Sequence, residues 1–435
     1  MSMGCFNEQR TGKTPLAIGF CDLKKAKKVL VLCPGSTVYP WQDEFLKWTG
    51  ESATVVTAST RAARLKQVAE WEYALVVSYD SIKKTKTAQG LIDEILKHKP
   101  DAIIVDESHR FKSRSAAITK AVWKFKSKCK YKIALTGTPA PNRQDEIWST
   151  LHFLYPKYFS SYWRFIDEYF VTYTQTLLSL GKDITKVLSI KSHMVIRFQS
   201  MLDQISTNTK RIEAMPWLPE KDYMEVLLPA TKLQLRYIKE LDDYFETEHI
   251  EVLGTLDRLT RERQILTAPQ LLQLKGTSPK LDWIKQYTKD YPDKSIIVFS
   301  NYTSFLKIIK EEVPQAQLYI GETTLEERRD RVVAFQAGRI KILLVNIKAG
   351  KEGITLDRGE VAIFIEKFPP ANDVEQAEDR FVATTQAMAD IGHTIIELKM
   401  KDTYDIFMYD QVKRNISEVS VINNYKKFVE QRRNH

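Results

Sequence analysis

Two short stretches carry residue types that could do chemistry together: Gly12-Lys13-Thr14 near the start of the chain, and Asp106-Glu107-Ser108-His109 after an apolar run. They read as the two halves of a nucleoside-triphosphate site. Backbone N–H groups of a loop that opens a helix can cradle phosphate oxygens. Lys13 in such a loop reaches the β- and γ-phosphates, and the Thr14 hydroxyl holds Mg²⁺. Asp106 then sits on the metal and Glu107 orients the attacking water. The full loop pattern wants Gly at the position of Asn7, so the match is partial, although Asn tolerates unusual backbone angles better than most residues. A plainer reading makes Gly-Lys-Thr a chance match, Asp106 a helix cap and His109 a satisfied structural histidine. Context favours catalysis: Gly4 to Phe6 has the look of a short strand, Pro15 to Cys21 starts like a helix, and Asp106 closes a strand-like run at the edge where open α/β sheets place ligands.

The elements that must position these residues are legible as short apolar runs. Val29 to Cys33, Ala74 to Val77, Ala102 to Val105 and Ile133 to Leu135 are Val/Ile/Leu-rich without strict alternation, as in strands buried on both faces of a parallel sheet. Trp41 to Trp48 and Leu91 to His98 have helical spacing between them, and βαβα order argues an open α/β sheet. From about Glu146 to Leu272 the pattern turns aromatic and helical. Val226 to Leu228, before Pro229, reads as a last strand of the first lobe, and Thr231 to Leu272 as helices joining two halves. The strand rhythm returns at Ile296 to Phe299, Ile342 to Val345, Val361 to Ile365 and Thr394 to Leu398. The expected division is a lobe over 1–229, a helical linker over 230–275 and a second lobe over 276–435. The tail after Val412 reads as a polar, basic helix that frays at Arg432 to His435.

The chain has 435 residues, enough for two or three domains, and a hydrophobic share of 43% excludes a disordered chain. A net charge of +10 suits a polyanionic partner such as nucleic acid. Its four cysteines, Cys5, Cys21, Cys33 and Cys129, form no C-x-x-C pair, which argues against zinc; Cys5, Cys33 and Cys129 lie beside or within expected strands, so buried free thiols in a reducing cytoplasm are expected there. No apolar run reaches ~18 residues, so no membrane span is expected.

At this point the residues resemble a family. Asp106-Glu107-Ser108-His109-Arg110-Phe111-Lys112 resembles the D-E-x-H box of superfamily-two helicases, with the tail of the Swi–Snf branch. The stretch Asn7 to Thr14, including Arg10 and Thr11, is similar to the first motif of that family. Cys33-Pro34 with Trp41, Glu44 and Phe45 is similar to the next, and Leu135-Thr136-Gly137-Thr138-Pro139 with Asn142 to the third. Glu146-Ile147-Trp148 through Pro156 resembles the segment that follows in the Swi–Snf branch. Ser278 to Leu281 with Ile297 to Ser300 resembles the fourth motif, Lys348-Ala349-Gly350 with Glu352-Gly353-Ile354 the fifth, and Gln376 to Arg380, ending at Gln386, the sixth.

The resemblance implies two RecA-like lobes with parallel sheets and helical material between them. It implies ATP with Mg²⁺ as cofactors. Arg10, Thr11, Gly12, Lys13, Thr14, Asp106 and Glu107 would come from lobe one, and Gly353 and Arg380 from lobe two. His109, Thr136, Thr138 and Gln376 would couple the nucleotide to the polymer. An arginine on a second lobe makes closure complete the site and hydrolysis release it. Three departures stand out. The family usually carries a second arginine three positions after Arg380, where this chain has Ala383. Lys351 replaces a frequent glycine of the fifth motif, which would add a phosphate contact. The family's upstream glutamine-containing segment, which reads adenine, has no counterpart in the residues given.

By the same resemblance the polymer would follow Ser36, Ser78, Lys112, Asn301, Asn346 and Lys348, small polar or basic residues at strand ends suited to phosphate oxygens. No base-reading code is evident. Lys124, Lys126, Lys128, Lys130 and Lys132 alternate along one stretch and read as a solvated edge, with a DNA-facing edge as the alternative. Trp41 and Trp48, a heptad apart, read as core.

The function implied is a DNA-dependent ATPase, a helicase or translocase on duplex or branched DNA, acting without sequence preference in branch migration or fork remodelling. Two alternatives are an RNA-dependent helicase of the same superfamily and a nucleotide-gated DNA clamp with little turnover. A monomer is expected, with no membrane partner, in a bacterial or phage-infected cytoplasm or, in a eukaryote, the nucleus. Lys13→Ala or Glu107→Gln is expected to abolish ATP turnover while both lobes still fold. Phosphate release together with circular dichroism checks this, and near-normal turnover in either variant would defeat the site assignment.

Overall fold

A computed structural model describes residues 1–83, 86–140, 143–177, 182–218, 221–243, 246–247, 250–251, 255–350, 354–368, 371–381, 383, 385–390, 392–413, 424–425 and 428–429. The chain divides into two compact units, Met1–Pro216 and Trp217–His435.

In the first unit the strands are β1 (Ser2–Cys5), β2 (Val29–Cys33), β3 (Thr54–Val56), β4 (Ala74–Ser78), β5 (Ala102–Val105), β6 (Tyr131–Leu135), the hairpin β7 (Phe170–Leu177) and β8 (Lys182–Ile190), and β9 (Ser206–Thr207). The sheet runs β3-β4-β2-β5-β6-β1-β9, parallel throughout. The reason is visible in β2. Leu30 and Leu32 enter one hydrophobic cluster, with Leu75 and Val77, while Val29, Val31 and Cys33 enter another, with Ala17 and Phe45. A strand whose two side-chain rows both need cover is stable only between two helical layers.

The second unit follows the same logic with β10 (Asp222–Leu228), the short antiparallel pair β11 (Glu246–Thr247) and β12 (Ile250–Glu251), β13 (Ile296–Ser300), β14 (Gln317–Tyr319), β15 (Ile342–Asn346), β16 (Val361–Phe364) and β17 (Thr394–Met400). Its parallel sheet runs β10-β17-β16-β13-β15-β14. Ile296 and Val298 face one cluster, and Ile297 and Phe299 the other.

Several expectations change. Val226 to Leu228 does not close the first lobe: it lies in β10, paired along its length with β17 of the second sheet. A strand takes the partner whose free edge and register it meets, which local composition does not reveal. The helices Lys232–Asp243 and Thr255–Thr267 pack as part of the second unit, where Ile238, Leu241, Ile265 and Leu266 bury against Met400. The aromatic-rich middle hides the β7–β8 hairpin, whose Val171, Tyr173 and Leu188 are exposed. Residues 171–175 are exposed on both faces of the ribbon, so it shows no continuous apolar run. Trp41 is core as expected, but Trp48 is 53% exposed and bonds Glu44 on its own helix. Of the alternating lysines, Lys132 is buried and donates to the carbonyls of Lys126 and Phe153, so the stretch is not a uniform solvated edge. All four cysteines are buried free thiols. The fraying tail, Gly353 and Lys351 lie outside the described residues. Among the described residues no helix is long and apolar enough to cross a membrane.

The second sheet carries one buried polar cluster at its carboxyl edge. Lys280, fully buried, donates to the Ile365 carbonyl and to Asp405 at 2.7 Å each. Beside it, Glu366 accepts from Ser300 Oγ at 2.7 Å and from the Asn301 N–H. Burial pushes the Glu366 carboxyl up to about 7, against the opposing pull of Lys280 and these hydrogen bonds, with Asp405 adding to the rise. A folded-state pKa above the unfolded value means the native state holds the proton longer. The stability contribution is complete below the unfolded value of about 4.5 and is lost as pH rises through about 7. Chemical denaturation across that window is expected to show this decline in the parent protein and a flatter profile in Glu366→Gln, and parallel profiles would refute it.

Candidate functional site

In a parallel sheet every strand ends at the same edge, so the turns after β1, β2, β4, β5 and β6 gather there. The turn after β1 is the phosphate loop. Phe6 and Glu8 donate their N–H groups to the carbonyls of Thr207 and Thr209, and Asn7 Oδ1 accepts from the Thr209 N–H at 3.0 Å. The Glu8 carboxylate accepts from the Arg211 N–H at 2.8 Å. Asn7 thus has a bolting role, and the left-handed residues of the loop are Arg10 (φ 64°) and Gly12 (φ 79°) instead. Left-handed turns leading into a helix make a concave surface of N–H groups that favours anions. The helix Lys13–Leu23 starts directly after Gly12, with Thr14 in its first turn and Pro15 where a missing N–H costs little. Lys13 Nζ donates to the carbonyls of Asn7 and Glu8 at 2.9 and 2.8 Å.

The acidic pair ends β5. Asp106 Oδ2 accepts from the Trp41 indole N–H at 2.9 Å, Oδ1 from the Glu107 N–H at 2.9 Å, and its carbonyl from the Tyr79 hydroxyl. Desolvation and the adjacent Glu107 charge push the Asp106 carboxyl up to about 6, with Lys13 and the Trp41 bond pulling the other way. Glu107 holds a left-handed backbone at φ 48°, a strain of about 1 kcal/mol or more for a non-glycine residue, of the kind found where a side chain must be aimed. His109 Nδ1 lies 3.3 Å from Glu107 Oε2 and 3.1 Å from Thr136 Oγ1, and Thr136 Oγ1 accepts from the Thr138 N–H at 3.1 Å. The turn after β6 is thus bonded by His109 Nδ1, which lies close to the acidic pair. It also abuts the phosphate loop: a Cβ on Gly137 would meet Gln9 Cγ at 3.1 Å and Lys13 Nζ at 3.7 Å.

Whether these residues suit a triphosphate with a divalent cation can be tested on their chemistry. Hard oxygen donors, Asp106 and the Thr14 hydroxyl, suit Mg²⁺. Burial, and after it the neighbouring Glu107 charge, raise the Asp106 carboxyl, and a cation there would offset both. Gln9 Oε1 and Thr138 Oγ1 are buried with no hydrogen-bond partner among the described residues. The donor set fits.

The remaining residues expected at a site fall as follows. Ser36 sits in the Gly35–Thr37 turn after β2. Ser78 caps the short helix after β4, accepting from the Ser81 N–H at 3.3 Å. Lys112 pairs with Glu146 at 3.2 Å. In the second unit Asn301 follows β13 and Lys348 is exposed after β15. Asn346 is buried and its amide donates to the Ser300 and Asn301 carbonyls and to Thr303 Oγ1, at 3.3, 3.0 and 3.3 Å. Its side chain locks two turns together, a different use from the expected phosphate contact. Gln376 is buried on the helix Ala371–Phe381, where Arg380 is half-buried and its carbonyl accepts from the Leu356 N–H at 2.9 Å. Ala383 is fully buried. The sequence reading took Trp41 for core and did not single out Tyr79 as an anchor of Asp106. Only Trp41's place behind the second motif hinted at such a role.

Comparison with known proteins agrees with this geometry. The model of the SNF2-related domain matches residues 8–279, and that of the helicase conserved C-terminal domain residues 279–383. The chain is 26% identical over 431 residues to the DNA annealing helicase and endonuclease ZRANB3 of Bos taurus, covering 94% of this chain and 38% of that protein. It is also 26% identical over 385 residues to the SWI/SNF-related matrix-associated actin-dependent regulator of chromatin subfamily A member 1 of Mus musculus, covering 81% of this chain and 34% of that protein. The chain thus spans little more than a third of the length of these relatives. Its fold is similar to the Hef helicase domain of Pyrococcus furiosus, with a TM-score of 0.51, 16% identity and 94% of each chain covered. With the SNF2-related model matched over more than half of its length, the chain belongs to the SNF2-related family of superfamily-two helicases.

Proposed function

We propose that the chain is a DNA-dependent ATPase that moves along duplex or branched DNA. The observation that carries this reading is the placement of His109 Nδ1 within 3.3 Å of Glu107 and 3.1 Å of Thr136, beside a loop packed on Gly137. In this reading the loop N–H groups from Arg10 to Thr14 hold the phosphates and Lys13 turns from the loop carbonyls to the β- and γ-oxygens. Thr14 and Asp106 hold Mg²⁺, which would neutralise charge on the phosphate oxygens. Glu107, aimed by its strained backbone, orients the attacking water. His109 senses whether Glu107 is engaged and passes this to Thr136 and Thr138. Arg380, Gly353 and Gln376 of the second lobe complete the site on closure, so that turnover alternates the grip on a track.

Small polar and basic residues at strand ends, with Ser36, Ser78, Lys112, Asn301 and Lys348 among them, suit sequence-independent backbone contacts. Asn346 acts by positioning Asn301. The name of one relative, an annealing helicase, supports branched DNA and fork remodelling as the task. A second reading, a nucleotide-gated clamp with little turnover, is favoured by Ala383, because a missing arginine at that position removes a group that can be worth ~10³–10⁵ in rate.

Multiple-turnover phosphate release on duplex, forked, four-way and single-stranded DNA, with an RNA control, separates these. A translocase shows strong stimulation by duplex or branched DNA. A clamp binds DNA with ATP and shows no stimulated rate, and stimulation by RNA alone would overturn the DNA assignment. Duplex binding is expected to weaken with salt at a log–log slope of about −4, for ~4–5 phosphate contacts. A flat response would count against backbone tracking.

A further inference from the structure

At the same edge of the first sheet, a groove of about 490 Å³ opens between residues 112–115, which follow the turn Ser108–Phe111 after β5, and the turn Gln144–Ile147 after β6. Three cationic side chains line it: Lys112, Arg114 and Arg143. Two of them are held by carboxylates. Arg143 Nη2 is 3.0 Å from Asp145 Oδ2, and Lys112 Nζ is 3.2 Å from Glu146. The Asp145 side chain is 4% exposed and that of Glu146 14%, whereas that of Arg143 is 56% exposed. The acids therefore sit beneath and orient the cations, whose outward N–H groups face solvent. Asp145 is itself fixed by the Tyr162 hydroxyl at 2.7 Å.

Arg114 is arranged differently. Its guanidinium lies 3.3 Å from the centre of the Tyr162 ring, and its N–H groups have no acceptor among the described residues. Stacking on an aromatic face restrains a guanidinium while leaving its in-plane donors available. The Ser113 and Ser115 hydroxyls, 3.3 Å apart, stand at the rim.

We propose that this groove is a backbone-phosphate subsite of the DNA track, in which Arg114 and Arg143 join Lys112 as the contacting groups. The proposal rests on the DNA reading above and adds two contacts to it. The ligand class follows from the donors. Planar forks and hydroxyls match phosphate oxygens, the two buried acids leave a net positive mouth, and no amide side chain lines the groove to read a base edge.

The test is duplex binding by fluorescence anisotropy over a salt series, on two unrelated sequences, for the parent, Arg114→Gln, Arg143→Gln and Lys97→Gln. Lys97 is an exposed lysine paired with Glu94 of its own helix and controls for charge alone. Arg114→Gln is expected to make the log–log slope shallower by about 0.9 and to weaken binding about tenfold at ~50 mM salt, equally on both sequences. Arg143→Gln should do the same. Because it strips Asp145 of its partner, its fold is checked by thermal melting, and Arg114→Gln carries the test if it does not fold. Lys97→Gln should keep the parent slope. A parent slope in Arg114→Gln overturns the subsite and leaves the DNA reading standing, whereas a parent that binds no duplex sinks both. Inorganic phosphate is the remaining arm. If it stabilises the parent but not Arg114→Gln while DNA slopes match, the groove is a free-anion site and the proposal fails.

Discussion

A carboxylate held at the end of a strand that is buried on both faces is the constraint from which the rest of the first unit follows. Asp106 cannot drift: the indole of Trp41 binds one oxygen, the Tyr79 hydroxyl holds its carbonyl, and β5 beneath it is paired on both sides by β2 and β6. That rigidity costs desolvation, which appears as a carboxyl raised to about 6. A site meant to receive a cation can tolerate such a cost, because the ligand's charge offsets it when it arrives.

The two units solve the same packing problem and use their sheet edges differently. In the first, the edge presents left-handed backbone, acidic oxygens and a lysine. In the second, the edge is locked by buried polar bonds: Glu366 to Ser300 and Asn301, Asn346 across to the same turn, and Lys280 to Asp405. Buried ionic and amide networks of this kind are poor sources of net stability, yet they fix geometry, since every alternative arrangement leaves a polar group unpaired. The turns after β13 and β15 therefore move as one piece.

The groove at Arg114 lies at the same sheet edge as the acidic pair. The turns that follow β5 and β6 carry the acidic pair and Thr136 at their start and cations a few residues later. A shift in the turn after β6 would be felt both at Thr136 and at Arg143. Coupling of chemistry to a charged track needs no long pathway when both contacts share the same two turns.

Much of this was readable in the residues. The strand cores β2, β4, β5, β6, β13, β15, β16 and β17 announce themselves because strands buried on both faces need unbroken apolar runs, and the Gly12-Lys13-Thr14 and Asp106-Glu107 chemistry is carried by residue type. What the sequence could not determine is where partners lie. The strand at Val226 looked like the close of one lobe and pairs in the other, because register and edge availability are properties of the assembled sheet. Lys132 looked like a surface lysine and is buried under two carbonyls, since its neighbours arrive from Lys126 and Phe153 rather than from its own strand. Trp41 and Trp48 share a residue type and a heptad spacing, yet one steadies Asp106 and the other faces solvent. Local sequence determines which groups exist and which backbone they prefer, and only tertiary packing decides which groups meet, because contacts are made between residues far apart in the chain.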